Sequence, residues 1–146
     1  MAQVTASTSA PVPATPEATL AALADYAVVR PAILPEQYTD YAVTEGGTGT
    51  GTVATWRLHA TEKRVRHVVA EVRVDDGDTV IEDDRNSSMV TVFTVRPAGT
   101  GSTVEVTTSW EGAGGIGGFF ERTFAPKGLN RIHDALLGNL ARHLAG

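Results

Sequence analysis

The chain has 146 residues, 42% hydrophobic and 20% charged, with a net charge of −5 and no cysteine. Such a length and balance suit one globular domain, expected to span residues 1–146, with enough bulk for a real core. The acidic balance argues against a nucleic-acid partner, which needs a basic surface, and the missing cysteines exclude disulfides, thiolate metal ligands and a thiol nucleophile.

The opening stretch MAQVTASTSAPVPATPEA lacks a basic n-region and an apolar run of signal length. Nothing further on approaches the roughly 18 apolar residues of a membrane span. A cytoplasmic protein without stable membrane insertion is therefore expected.

QVTASTSAPV, rich in Val and Thr, is the first expected strand. ATPEATLAALADY then carries a helix start, with Thr15 as N-cap, Pro16 in the first helical position and Glu17 in the first turn. Leu20, Leu23 and Ala27 give this helix one apolar face. VVRPAILP is a second short helical piece, bounded by Pro31 and Pro35.

Six segments of β character follow: YTDYAVTE, GTVATWRLHA, RVRHVVAEVRV, DTVIEDDR, SMVTVFTVR and STVEVTTSW. Their connections are short, so neighbours must run antiparallel. The first connection, EGGTGTGT, looks like a phosphate loop. It is followed by a strand instead of a helix and supplies no lysine, which removes nucleotide chemistry. Its glycines are read as a tight turn and as a hinge at the rim of a pocket wall.

LNRIHDALLGNLARHLA places Leu129, Ile132, Leu136, Leu140 and Leu144 three or four apart, the stripe of a long amphipathic helix. This helix is expected to reach back to Phe119 and Phe120, with a kink at Pro126. The glycine-rich GAGGIGGFF before it is either a flexible link or a mobile lip, with Ile116, Phe119 and Phe120 capping an apolar ligand. The fold class is thus α+β. A curved antiparallel sheet of six to seven strands wraps around the C-terminal helix, with two short helices between strands 1 and 2.

The N-terminal motif ATPEATLAALADY, the glycine hairpin, IEDD before TVFTV, and the terminal TSWEGAGGIGGFFERTFAPKGLNRIHDALLGNLARHL together resemble the START-like (SRPBCC) superfamily. Its helix-grip fold includes the polyketide cyclase/dehydrase and lipid transport proteins. The resemblance spans nearly the whole chain. It implies a cavity between sheet and long helix, in a group that contains carriers, hormone receptors, cyclases and hydrolytic enzymes. The gate and latch sequences of the plant hormone receptors are absent, and no catalytic residue transfers.

Turn lengths set the registers. A two-residue turn at Asn86–Ser87 pairs Glu82 with Thr91 and Val80 with Phe93. A four-residue turn after Pro97 pairs Val95 with Val104. A turn at Thr61–Glu62 pairs Trp56 with Val68 and Leu58 with Arg66, and the glycine hairpin pairs Val43 with Ala54 and Tyr41 with Trp56. Opposed residues share a face, so Tyr41, Trp56, Leu58, Val68, Phe93 and Trp110 belong to one inward, apolar face. Arg66, Glu82, Asp84, Thr91 and Thr108 interrupt that face with polar groups. The turn at Asp75–Asp78 is the weak point, because one residue more or less there moves Glu82 and Asp84 outward.

An apolar cavity with a few fixed polar groups suits a hydrophobic small molecule such as a lipid, a polyketide or another secondary metabolite. Phe120 completes the candidate ligand-binding set. Arg66 is expected to pair with Glu82 or Asp84, since a lone buried charge is costly. A cyclase or dehydratase anchored on Arg66, Glu82 or Asp84 is the alternative, and a protein-interaction module with a filled cavity is the third. No metal or cofactor is expected: the four histidines are scattered, His59 and His67 face outward, and no HxH or HExxH pattern occurs. His133 is read as a boundary residue of the long helix. No GxSxG elbow is present for a serine hydrolase.

Overall fold

The computed structural model describes residues 3–59, 65–111 and 126–145. The elements follow the order β1 (Gln3–Val12), α1 (Pro16–Ala24), α2 (Val29–Ile33), β2 (Tyr38–Glu45), β3 (Val53–His59), β4 (Val65–Asp75), β5 (Thr79–Asp84), β6 (Val90–Ala98), β7 (Gly101–Glu111) and α3 (Pro126–Ala145). The seven strands form one antiparallel sheet in the order β1-β7-β6-β5-β4-β3-β2. Each strand from β2 to β7 lies beside its neighbour in the chain, as short connections require. β1 closes the far edge against β7.

The sheet's alternation is strict where it faces the core. In β7, Ser102, Val104, Val106, Thr108 and Trp110 are buried while the intervening residues are half-exposed. The long helix α3 presents Leu129, Ile132, His133, Leu136, Leu137 and Leu140 to that face, and it packs chiefly on β1. α1 packs over β5 to β7. The core therefore lies between the inward face of the sheet and the two helices. Among the described residues, no helix is long and apolar enough to cross a membrane.

The registers match the turn-length argument: Val80 faces Phe93, Glu82 faces Thr91, Val95 faces Val104, Trp56 faces Val68 and Leu58 faces Arg66. The Asp75–Asp78 turn keeps the register that turns Glu82 and Asp84 inward, with Val72 paired to Glu82 and Ala70 to Asp84. The turn at Thr61–Glu62 itself lies outside the described residues, as do the glycine-rich connection and any extension of α3 toward Phe119.

α1 starts as its sequence dictates: the Thr15 side chain accepts from Ala18 N at 3.2 Å with Pro16 in the first position. It stops sooner than the apolar pattern suggests. Ala27 lies beyond the helix and is exposed, and Tyr26 takes the buried position instead.

In β2 a bulge intervenes between Thr39 and Ala42, with Asp40 at φ 54°. Tyr38 and Tyr41, an odd number of residues apart, would face opposite ways on a regular strand. Here both rings meet Trp56, at centroid distances of 5.9 and 6.1 Å.

Candidate functional site

Arg30 sits on α2, a five-residue helix in an otherwise apolar stretch, and is 2% exposed. A buried guanidinium is tolerable only where its donors and charge are met. Arg30 Nη1 donates to Glu82 Oε2 at 2.6 Å and Nη2 donates to the Leu23 carbonyl at 2.8 Å. Its plane lies over the Tyr26 ring at 4.3 Å and near the Phe93 ring at 5.1 Å, so two aromatic faces add to the attraction. The Tyr26 hydroxyl donates to the same Glu82 oxygen at 2.5 Å.

Burial works against the Arg30 charge, but attraction to Tyr26 and Glu82 outweighs it and the guanidinium stays protonated. Burial also pushes the Tyr26 phenol well above its ordinary range, against the opposing pull of Arg30. The cluster is thus an ion pair with a neutral phenol attached.

This cluster opens onto an enclosed space of about 10 Å³ between the sheet and α3, about the room one water molecule needs. Leu34, Leu58, Met89, Phe93 and Leu129 give it apolar walls, and Arg30, Glu82, Tyr38, Thr91, Thr108 and His133 give it polar ones, with the Trp56 indole between. Register explains part of that pattern. Glu82, Thr91 and Thr108 are direct cross-strand partners on β5, β6 and β7, so they form a polar row across the sheet. The two threonine hydroxyls are 2.9 Å apart and satisfy each other.

His133 is 3% exposed on the inner side of α3. Burial, reinforced by Arg30 and weakly opposed by Asp134, lowers its pKa to about 4 and leaves the imidazole neutral. Burial raises the Tyr38 phenol out of its usual range as well.

Of the residues expected from sequence, Trp56, Leu58, Glu82, Thr91, Phe93 and Thr108 line this space. Val68 and Trp110 are buried in the surrounding core and do not line it. Tyr41 is half-buried outside it, stacked on Trp56, with its hydroxyl donating to the Tyr26 carbonyl at 2.6 Å. Phe120 lies outside the described residues.

Three expectations require correction. Arg66 does not pair with Glu82 or Asp84: its Nη2 donates to the Asn86 carbonyl at 3.1 Å, and Glu82 has Arg30 instead. Asp84 is buried, but its oxygens accept from Val69 N, Asn86 N and the Ser87 hydroxyl at 2.7–3.0 Å. It serves the β5–β6 turn. His133 is likewise no boundary residue.

Sequence reasoning missed Arg30, Tyr38 and His133. His133 stands four residues after Leu129 and three before Leu136, the spacing of the apolar stripe itself.

The glycine hairpin is docked instead of free at the rim. The Gly47 carbonyl accepts from Tyr26 N at 2.9 Å and Ala27 N at 3.1 Å, and Gly49 N donates to the Ala24 carbonyl at 2.9 Å. It ties β2–β3 to the α1–α2 connection that carries Tyr26, next to Arg30.

Among the described residues no group of three His, Cys, Asp or Glu side chains is arranged to hold a metal ion.

The protein family described as polyketide cyclase / dehydrase and lipid transport matches residues 1–145. The chain is 56% identical to the KanY protein, whose solution structure has a TM-score of 0.91 with 100% of both chains covered. Similarity in fold extends to the Zhui aromatase/cyclase from Streptomyces sp. R1128, at TM-score 0.78 and 10% identity over 99% of this chain and 94% of that one. Major latex-like protein 151 from Panax ginseng gives 0.76 at 14% identity over 99% of each chain. A search of curated proteins finds no match.

Proposed function

The chain belongs to the polyketide cyclase / dehydrase and lipid transport family, and from that premise we propose that it binds an apolar small molecule between the sheet and α3. The observation that carries this reading is the composition of the enclosed space described above. Apolar walls supply burial, and a few fixed polar groups supply orientation. A core built for stability alone would not keep a guanidinium, a carboxyl group and an imidazole around such a space, because each is costly to bury. The space is nearly closed at about 10 Å³, so ligand entry requires its walls to part. Glu82, Trp56, Leu58, Thr91, Phe93 and Thr108 are the proposed contacts from the sheet, joined by Arg30, Tyr38 and His133.

Native mass spectrometry of gently purified protein tests the reading. An apolar adduct lost on denaturation is expected. Bare protein mass, together with no uptake of lipophilic probes, would favour the filled interaction module instead.

A second reading, catalysis of the cyclase or dehydratase kind, is favoured by one observation: a neutral imidazole beside a permanent cation. His133 would exchange a proton with a substrate while Arg30, its charge met by Glu82, donates a hydrogen bond from its free Nε to a substrate oxygen. Under this reading His133→Gln abolishes turnover while ligand uptake persists. Turnover unchanged in that variant would remove His133 from the chemistry.

A further inference from the structure

Three residues on three different elements line the enclosed space: Arg30 from α2, Trp56 from β3 and His133 from α3. Each keeps one buried nitrogen with no hydrogen-bond partner among the described residues: Arg30 Nε, Trp56 Nε1 and His133 Nδ1. Buried polar atoms without partners are rare and costly, and three around one space call for a common acceptor. The indole and the guanidinium Nε can only donate, while a neutral imidazole nitrogen donates or accepts according to tautomer. These groups are therefore matched to an oxygen, and the space has room for about one such atom.

Charge decides which kind of oxygen. The positive charge of Arg30 is already met by Glu82 at 2.6 Å. His133 is neutral, and the other polar groups facing the space, Tyr38, Thr91 and Thr108, carry no charge. Asp134, next to His133, is exposed. The cluster has no positive charge to spare. A carboxylate entering it would bring an unmatched buried charge, whereas a ketone or phenol oxygen would take the free donors with no charge to bury.

We propose that the space between Arg30, Trp56 and His133 is a subsite for a single neutral oxygen, the ketone or phenol end of an otherwise apolar ligand, and that it discriminates against carboxylates. This rests on the binding reading above and specifies the ligand's polar end.

The test uses one ring with three ends: naphthalene, 2-naphthol and 2-naphthoate, titrated into the full chain near neutral pH, where the phenol is uncharged and the carboxylate ionised. We expect 2-naphthol to bind about ten-fold tighter than naphthalene, and 2-naphthoate about ten-fold weaker than 2-naphthol. Equal binding of naphthalene and 2-naphthol would overturn the oxygen subsite while leaving the binding reading intact. Tightest binding by 2-naphthoate would overturn the selectivity for neutral oxygen. No binding by any of the three would overturn both readings.

Trp56→Phe keeps an aromatic ring, though a smaller one, and removes the N–H. It should lower the preference for 2-naphthol over naphthalene about three-fold or more, the ratio being read so that any change in apolar contact common to both ligands cancels. His133→Leu provides the same comparison should Trp56→Phe fail to fold. An unchanged preference in whichever of them folds would overturn the subsite.

Discussion

Arg30 and Glu82 hold each other in the core, so removing one leaves the other as an uncompensated buried charge. Glu82→Gln keeps the shape and deletes the counter-charge; the expected loss is about 3–5 kcal/mol in urea unfolding. A loss under about 1 kcal/mol would mean that the aromatic faces of Tyr26 and Phe93 stabilise the guanidinium without Glu82. His133 gives a second prediction, in pH. Its folded pKa of about 4 lies below its ordinary 6.5, so below the ordinary value the unfolded chain binds the extra proton. Stability from this residue is complete above pH 6.5 and is lost as pH falls through about 4, by roughly 3 kcal/mol in all. Arg30, Glu82 and Tyr38 face it across the space and Asp134 flanks it on α3, so the measurement is the difference between the wild type and His133→Leu across that range. Parallel pH curves would show that His133 is not buried neutral. Neither residue stood out in the sequence, for different reasons. Arg30 lies in a helix of five residues, too short for periodicity to assign a face. His133 did fall on the apolar stripe of α3, but spacing alone does not distinguish a polar residue at the margin of a stripe from one inside it.

Strand pairing was legible because turn length fixes register, and one correct register constrains the next through shared faces. The β2 bulge was not, since it depends on Asp40 adopting φ 54°, a choice invisible in residue type. That bulge turned Tyr38 toward Trp56 and into the lining of the space. The glycine hairpin shows the same division. Its turn was readable from composition, but its docking on the α1–α2 connection is a tertiary contact between segments about twenty residues apart. The tight closure of the hairpin on itself makes Gly46 demanding. At φ +66°, a Cβ there would stand 2.9 Å from the Thr52 Cα, too close without backbone movement. Gly77 has a nearly identical φ of +68° and open space around it. Gly46→Ala should therefore destabilise more than Gly77→Ala, with about 1 kcal/mol for the left-handed backbone in both and about 1–3 kcal/mol more for Gly46. Equal losses on chemical denaturation would show that the hairpin yields freely and is not clamped.

On the scale of the whole molecule, a sheet with one apolar face and a single long amphipathic helix leaves few ways to bury both, which is why the architecture could be read from pattern alone. What pattern could not supply was the amount of room left between them. That depends on how side chains from α2, β3, β6 and α3 interlock, and they leave only about 10 Å³. If this gap is the seed of the binding cavity, enlarging it should favour uptake of an apolar ring there, whereas an equal deletion elsewhere on the helix should not. Leu129 lines the gap at 1% exposure; Leu140, on the same helix at 0%, does not. Each Leu→Ala change should cost about 2.7–5 kcal/mol through lost burial and the void left behind. Only in Leu129→Ala does the new void join an existing space, and only there should naphthalene restore stability, by about 2.7 kcal/mol at a hundred times its dissociation constant. Rescue is read as a naphthalene-dependent rise in the unfolding midpoint. Equal rescue of both variants would show that the gap has no special capacity. Rescue of neither would show that the sheet and α3 close around their space too firmly to admit an apolar ring.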